Sequence, residues 1–119
     1  MNYTDKDKGE FLRGFLILAK KDKKISAHER SMVMVVGNYF GFEKRFCEES
    51  INNIFENEYI SEKPPLFSNI HIARFFVIEC LDIFEQINGI NNPQRVWLQE
   101  TLLVNGINNE INAENKITY

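Results

Sequence analysis

The sequence has little glycine and proline, and it has no long apolar run. Its 119 residues include six glycines and three prolines, which disfavours a turn-rich all-β fold. No apolar run approaches the ~20 residues that a membrane-spanning helix needs. We therefore expect one helical domain over residues 1–119, large enough to bury a core, without a membrane span.

An excess of positive charge is also missing. The formal net charge is −3, so no overall positive field attracts nucleic acid or an anionic membrane. The first residues, MNYTDKDKGEF, are polar and lack the apolar stretch of a signal peptide. Cys47 and Cys80 both fall on apolar helical stripes, and we expect them to be reduced and buried. These features predict a cytoplasmic protein.

Catalytic and cofactor motifs are absent from the sequence. It contains no Gly-x-Ser-x-Gly, phosphate-binding loop or dinucleotide fingerprint. His28 and His71 are the only histidines, and neither forms a zinc-ligand spacing with another histidine or a cysteine. We predict no enzyme, no catalytic residue and no bound organic cofactor.

Ten phenylalanines and many aliphatic residues recur at helical spacing along most of the chain. The pattern predicts an all-α bundle of five to seven helices. Its parts are a first helical hairpin over about 5–42, a helix over 43–58, a loop over 59–67, a second hairpin over about 68–107, and a tail over 108–119. The expected helix caps are Thr4 or Asp5, Ser26, Ser68 or Asn69, and Asn92.

Two further expectations concern side chains and the tail. On the third helix, the predicted inward residues are Phe46, Cys47, Ile51, Ile54 and Phe55. The polar tail is expected to form a short final helix or to fray.

The two hairpins form a weak internal repeat. Residues 11–42 align with residues 76–107 without a gap, at an offset of 65. The matched pairs are Phe11 with Phe76, Leu16 with Leu81, Ile25 with Ile90, Arg30 with Arg95 and Gly41 with Gly106. In each half, these positions are two core residues of the first helix, an aliphatic residue of the turn, a charged residue in the first turn of the next helix and the glycine that ends it. The match predicts two pseudo-symmetric hairpins.

The stretch FLRGFLILAKKDKKISAHERSMVMVVGNYFGF resembles the TerB-like domain, the tellurite-resistance family of small all-helical proteins. The family pattern is an apolar helix, Asp-Gly-x-Ile-x-x-x-Glu, a second apolar helix and Leu-Gly-hydrophobic. The first copy here has Asp22 and Glu29 but Lys23 at the glycine position, and the second has Ile87 and Gln94 at the acidic positions. The resemblance implies divalent-metal binding by acidic turns, of which only the first keeps its carboxylates.

Asp22 and Glu29 therefore have two interpretations. As ligands they would supply oxygens to a divalent cation, but two carboxylates fall short of the six or more oxygens that Ca²⁺ requires. Lysines at 20, 21, 23 and 24 would also repel a cation. In the favoured interpretation, Glu29 forms a capping box with Ser26, and Asp22 pairs with nearby lysines.

The same lysine run, KKDKK, could contact phosphate groups of a nucleic acid. A small nucleic-acid-binding regulator is thus a further alternative, which predicts strongly salt-dependent affinity. The run lacks a neighbouring basic helix face or aromatic platform, so nucleic acid is disfavoured as a partner.

Apolar residues beyond a single stripe indicate a protein interface. The fourth helix carries Phe75, Ile78 and Ile83 outside its main stripe, and the proline-bearing loop carries Tyr59, Leu66 and Phe67. Simple burial is the alternative for both groups. The leading hypothesis is a non-enzymatic interaction or scaffolding module of the TerB-like kind in a bacterial stress-response or defence assembly, acting on a protein partner or by self-association. A divalent-metal sensor using the acidic turn is the second hypothesis.

Overall fold

A computed structural model of the chain describes residues 1–21, 25–57 and 59–118. These residues form five α-helices: α1 (Asp5–Lys20), α2 (Ala27–Tyr39), α3 (Lys44–Glu56), α4 (Ile70–Ile87) and α5 (Asn92–Val104). The all-α prediction is confirmed. Among the residues described, no helix has the length and apolar character needed to cross a membrane.

Side-chain caps fix the starts of four helices. Thr4, Ser26 and Asn91 each form a reciprocal capping box, at α1, α2 and α5 respectively, and Asn69 caps α4. The sequence predicted Asn92 as the cap of the fifth helix, and this prediction is wrong by one residue. Asn91 stands three residues before Gln94, the spacing at which both partners satisfy each other's backbone N–H groups.

Helix boundaries repeat at the offset found in the sequence. The caps Thr4 and Asn69 are 65 residues apart, and α2 and α5 are both 13 residues long and start 65 residues apart. Gly41 and Gly106, also 65 apart, follow α2 and α5 with φ of 81° and 80°. This left-handed conformation suits glycine, which has no Cβ to clash.

The core centres on α1 and α4. Helix α1 packs against α2, α3 and α4, and α4 packs against α1 and α5. Most side chains with no exposure lie on these two helices: Phe15, Ile17, Leu18, Ala19, Ile72, Ala73, Phe76, Val77 and Cys80. The rings of Phe11 and Phe76, which are equivalent positions of the repeat, meet edge to face at 4.9 Å. Contact between equivalent residues is the geometry expected beside a pseudo-two-fold axis.

The tail forms neither of the predicted arrangements. Ile111 and Ile117 form an isolated antiparallel bridge, and the N–H of Thr118 donates to the carbonyl oxygen of Glu110 at 2.8 Å. Asn115, with φ of 59°, lies at the reversal. Asparagine tolerates this backbone conformation better than most residues do, and the turn therefore folds the tail back on itself.

Phe46 is not inward as predicted. Its side chain is 49% exposed and stacks on Phe42 with ring centroids 5.3 Å apart. Cys47, Ile51 and Ile54 occupy the buried stripe of α3. Phe46, one residue from Cys47, is turned by about 100° around the helix axis and leaves that stripe.

Candidate functional site

The carboxylate of Glu29 closes the capping box of α2, as the sequence predicted. Ser26 Oγ accepts the N–H of Glu29 at 3.0 Å, and Glu29 Oε1 accepts the N–H of Ser26 at 3.0 Å. Glu29 is only 2% exposed. Asp22, its predicted partner at a metal site, lies outside the described residues.

The rest of the acidic turn is described in part. Over residues 1–21, 25–57 and 59–118, no three His, Cys, Asp or Glu side chains come together in a way that could hold a metal ion. Lys20 and Lys21 both approach the carboxylate of Glu62, with N–O distances of 3.8 and 3.1 Å. Two lysines of the run thus face an acidic residue of the loop before α4.

Cys47 and Cys80 are buried and unpaired, as expected. Burial raises the pKa of both thiols, for Cys80 well above its ordinary value. A thiol in such an environment stays protonated at neutral pH and is a poor nucleophile.

An apolar surface groove lies between α2 and α4, with Phe11 of α1 among its walls. Its volume is about 310 Å³. The lining residues, hereafter the α2–α4 groove, are Phe11, Met32, Val35, Val36, Tyr39, Phe40, Phe75, Glu79 and Ile83. A larger depression of about 410 Å³ lies on α3, but its lining is mostly polar.

Helical periodicity explains why two apolar walls face each other across this groove. Phe75, Glu79 and Ile83 are spaced by four residues and form one stripe of α4, beside the stripe that enters the core. Helix α2 likewise turns Val33 into the core and leaves Val35 and Tyr39 exposed at 57% and 69%. The α2 wall is therefore open to solvent, and the α4 residues of the other wall are half-buried.

Among the described residues that line the groove, Glu79 is the one that carries a charge. Its side chain is half-buried, and none of the ion pairs found in the described part of the chain involves it. At one end, the ring of Tyr3 packs on Phe40 at 5.0 Å. Burial, together with the neighbouring Tyr39 and Glu79, raises the pKa of Tyr3. The groove thus combines aromatic and aliphatic walls with one negative charge.

The predicted interface residues do not form one surface. Phe75 and Ile83 lie together in the α2–α4 groove, and Ile78 is a half-buried residue of α4 outside the groove lining. Tyr59 and Leu66 are 88% and 55% exposed. Phe67 packs inward, with its ring 5.3 Å from that of Phe76 and 6.3 Å from that of Phe11.

The α2 wall of the groove was not predicted. The predicted interface included a second apolar side of α4 but no residue of α2, where Val35 and Tyr39 precede the glycine stop. The signal was present, because Val35 and Tyr39 are four residues apart and flank the inward stripe on one side.

Comparisons with protein-family models, with curated proteins and with solved structures found no match to this chain.

Proposed function

We propose that this chain is a non-enzymatic protein-interaction module that binds a partner protein through the α2–α4 groove. The observation that carries the proposal is the apolar lining itself, which is open to solvent and interrupted by a single acid. Val35 and Tyr39 are exposed, and their removal from water by a partner would lower the free energy of the complex. Grooves of this kind are typical of peptide and protein binding.

The biological setting of the proposal comes from the sequence resemblance. A TerB-like domain implies a cytoplasmic protein working in a bacterial stress-response or defence assembly. The groove adds the physical means by which such a module would join an assembly. The metal-sensing alternative rests on Asp22 and Glu29, and it predicts that a divalent cation stabilises the chain.

Site-specific photo-crosslinking tests the proposal with a matched pair of tyrosines. Tyr39 lines the groove, whereas Tyr59 lies outside it and is even more exposed, at 88% against 69%. Each would be replaced in turn by the photoreactive amino acid p-benzoylphenylalanine, and cells of the native host would be irradiated. We expect discrete protein adducts from position 39 that are much weaker from position 59.

Purified adduct partners would then be titrated against wild type and Val35→Glu. Binding that weakens at least about tenfold, equivalent to ~1.4 kcal/mol, would support the groove as the contact surface. Equal adducts from both positions, or none from position 39, would contradict the proposal. An adduct of twice the chain mass would identify self-association.

A further inference from the structure

The open α2–α4 groove has an occupied counterpart in the other half of the repeat. The 65-residue offset of the repeat relates α1 and α2 to α4 and α5. Each lining residue of the α2–α4 groove therefore has an equivalent at a second site, between α5 and α1, where Phe76 takes the place of Phe11. The corresponding pairs are Met32 with Trp97, Val35 with Glu100, Val36 with Thr101, Tyr39 with Val104, Phe40 with Asn105, Phe75 with Glu10, Glu79 with Gly14 and Ile83 with Leu18.

The chain's own segment 61–67 fills this second site. On one side, the segment is hydrogen-bonded by Trp97 of α5 and by Asn105, which follows α5. Trp97 Nε1 donates to the carbonyl oxygen of Glu62 at 2.9 Å. Asn105 Nδ2 donates to the carbonyl oxygen of Pro65 at 2.9 Å, and Asn105 Oδ1 accepts the N–H of Phe67 at 2.9 Å. Trp97 and Asn105 are the equivalents of groove residues Met32 and Phe40.

Helix α1 holds the other side of the segment at the equivalents of the α4 wall. Glu10 Oε2 accepts the N–H of Leu66 at 3.3 Å. Pro65 is buried, and a Cβ at Gly14 would lie 3.1 Å from Pro65 Cγ. One site of the repeat therefore binds an extended segment containing Pro64 and Pro65, while its equivalent stays open.

Differences between the two sites define what the open one would accept. Phe75 and Phe40 replace Glu10 and Asn105, which accept the N–H groups of Leu66 and Phe67 in segment 61–67. An occupant with few backbone N–H groups suits such walls, and proline has none. Polyproline II segments dock into grooves lined by aromatic side chains for this reason.

Charge adds a second requirement. Glu79, a half-buried residue that forms no ion pair among the described residues, stands where the occupied site has Gly14 and brings a carboxylate to an apolar wall. A basic side chain on the occupant would pair with this carboxylate and offset the cost of covering it when the groove is filled. The chain's own segment has Lys63 directly before its two prolines.

We propose that the α2–α4 groove binds an extended, proline-containing apolar segment of a partner protein, with a basic residue that faces Glu79. This inference rests on the proposed function and names the kind of partner segment. Segment 61–67 in the equivalent site is the internal template for the complex. An amphipathic helix or a second copy of the chain would be a different occupant, and the experiments separate these outcomes.

Binding is tested with a synthetic peptide of the chain's own sequence, SEKPPLF, added to the isotope-labelled full chain. We expect saturable NMR shifts at Val35, Tyr39 and Ile83, with a dissociation constant of about 1 mM or tighter. A peptide with both prolines replaced by alanine should bind at least about tenfold more weakly, and so should the unaltered peptide to Glu79→Lys.

Two exposed valines supply matched variants of the protein. Val35 lies in the groove and Val96 outside it, with exposures of 57% and 48%, so either should accept glutamate without unfolding the chain. Val35→Glu should weaken peptide binding at least about tenfold, and Val96→Glu should leave it unchanged. Shifts confined to Trp97 and Asn105 would mean exchange with segment 61–67 at the occupied site, and would overturn the proposal.

The proposal is also overturned if no groove shifts occur at about 1 mM peptide or if the alanine peptide binds equally well. The photo-crosslinking experiment separates this failure from failure of the proposed function. Adducts at position 39 that map to a helical segment or to a second copy of the chain would leave the interaction module intact and remove the proline-segment inference.

Discussion

The indole nitrogen of Trp97 donates a 2.9 Å hydrogen bond to the carbonyl oxygen of Glu62, 35 residues earlier in the chain. This bond ties the segment between the two helical hairpins to the second hairpin. Trp97 is 4% exposed, so its N–H has little access to water and depends on the Glu62 carbonyl oxygen as its acceptor. Unpaired buried donors are costly.

Trp97→Phe should destabilise the chain by about 1 kcal/mol or more, because it removes the donor and leaves the Glu62 carbonyl without it. Hydrogen exchange at Leu66 and Phe67 should accelerate as the segment loosens. Tyr59→Phe, at an 88% exposed position, should change neither quantity. Unchanged exchange in Trp97→Phe would show that the other contacts of the segment, such as those of Asn105 and Glu10, hold it without the Trp97 bond.

Gly14→Ala and Gly9→Ala should have opposite effects although both lie in α1. A Cβ at Gly14 would lie 2.7 Å from Phe76 Cζ and 3.1 Å from Pro65 Cγ, whereas nothing lies within 4 Å of a Cβ at Gly9. We expect Gly14→Ala to cost about 1–3 kcal/mol through overpacking. Gly9→Ala should stabilise by up to about 1 kcal/mol through helix propensity. Urea denaturation measures both, and a stabilised Gly14→Ala would contradict the close approach of segment 61–67.

Asp7 should make stability depend on pH in the acid range. Burial alone would raise its pKa, but hydrogen bonds from Ser68 and Thr4 outweigh burial and lower the pKa below 3.8. The distances are 2.6 and 2.8 Å from the Oγ and N–H of Ser68 and 3.0 Å from the N–H of Thr4. A depressed folded-state pKa gives stability that is present above the ordinary value and is lost as pH falls through the folded value.

Asp7→Asn should therefore cost about 2 kcal/mol at neutral pH, because it weakens hydrogen bonds to a charged group. The difference from wild type should shrink as the pH falls below the ordinary aspartate pKa and through the lowered pKa of folded Asp7. Asp5→Asn removes the same charge from the first turn of α1 at an exposed position, and it controls for the helix dipole. Denaturant unfolding across pH checks both, and a constant difference between Asp7→Asn and wild type would contradict the assignment.

Glu29 should behave as a helix cap. Gln94, its repeat equivalent, already forms the same capping box in α5, so Glu29→Gln should keep most of the stability. Glu29→Ala should lose about 1 kcal/mol. The check is thermal unfolding of wild type, both variants and Asp22→Asn/Glu29→Gln, each with EDTA and with Ca²⁺, Mg²⁺, Mn²⁺ or Zn²⁺.

We expect no cation effect in that series. A cation-specific rise in melting temperature of wild type, lost in the double variant, would instead support the metal-sensing alternative, since a ligand bound only by the native state stabilises it.

Many of the helix starts and ends could be predicted from local sequence chemistry. The Ser26–Glu29 capping box and the glycine stops at Gly41 and Gly106 depend on residues within one or two turns, so their patterns could be interpreted without knowing the fold. The Asn92 cap was misplaced by one position because two adjacent asparagines offer the same chemistry. The tail was misjudged because its bridge depends on pairing between Ile111 and Ile117 across a turn.

By itself, the sequence predicted an all-α bundle, most of its side-chain caps and the 65-residue offset between the hairpins, because helix periodicity and capping are local. It also showed that α4 is apolar on more than one side. Only the tertiary structure decided which apolar side is covered. Segment 61–67 lies against α1 and α5, through bonds such as Trp97 to Glu62 and Leu66 to Glu10. The equivalent site between α2 and α4 stays open, since a hydrophobic pattern records the tendency to be buried and not the neighbour that buries it.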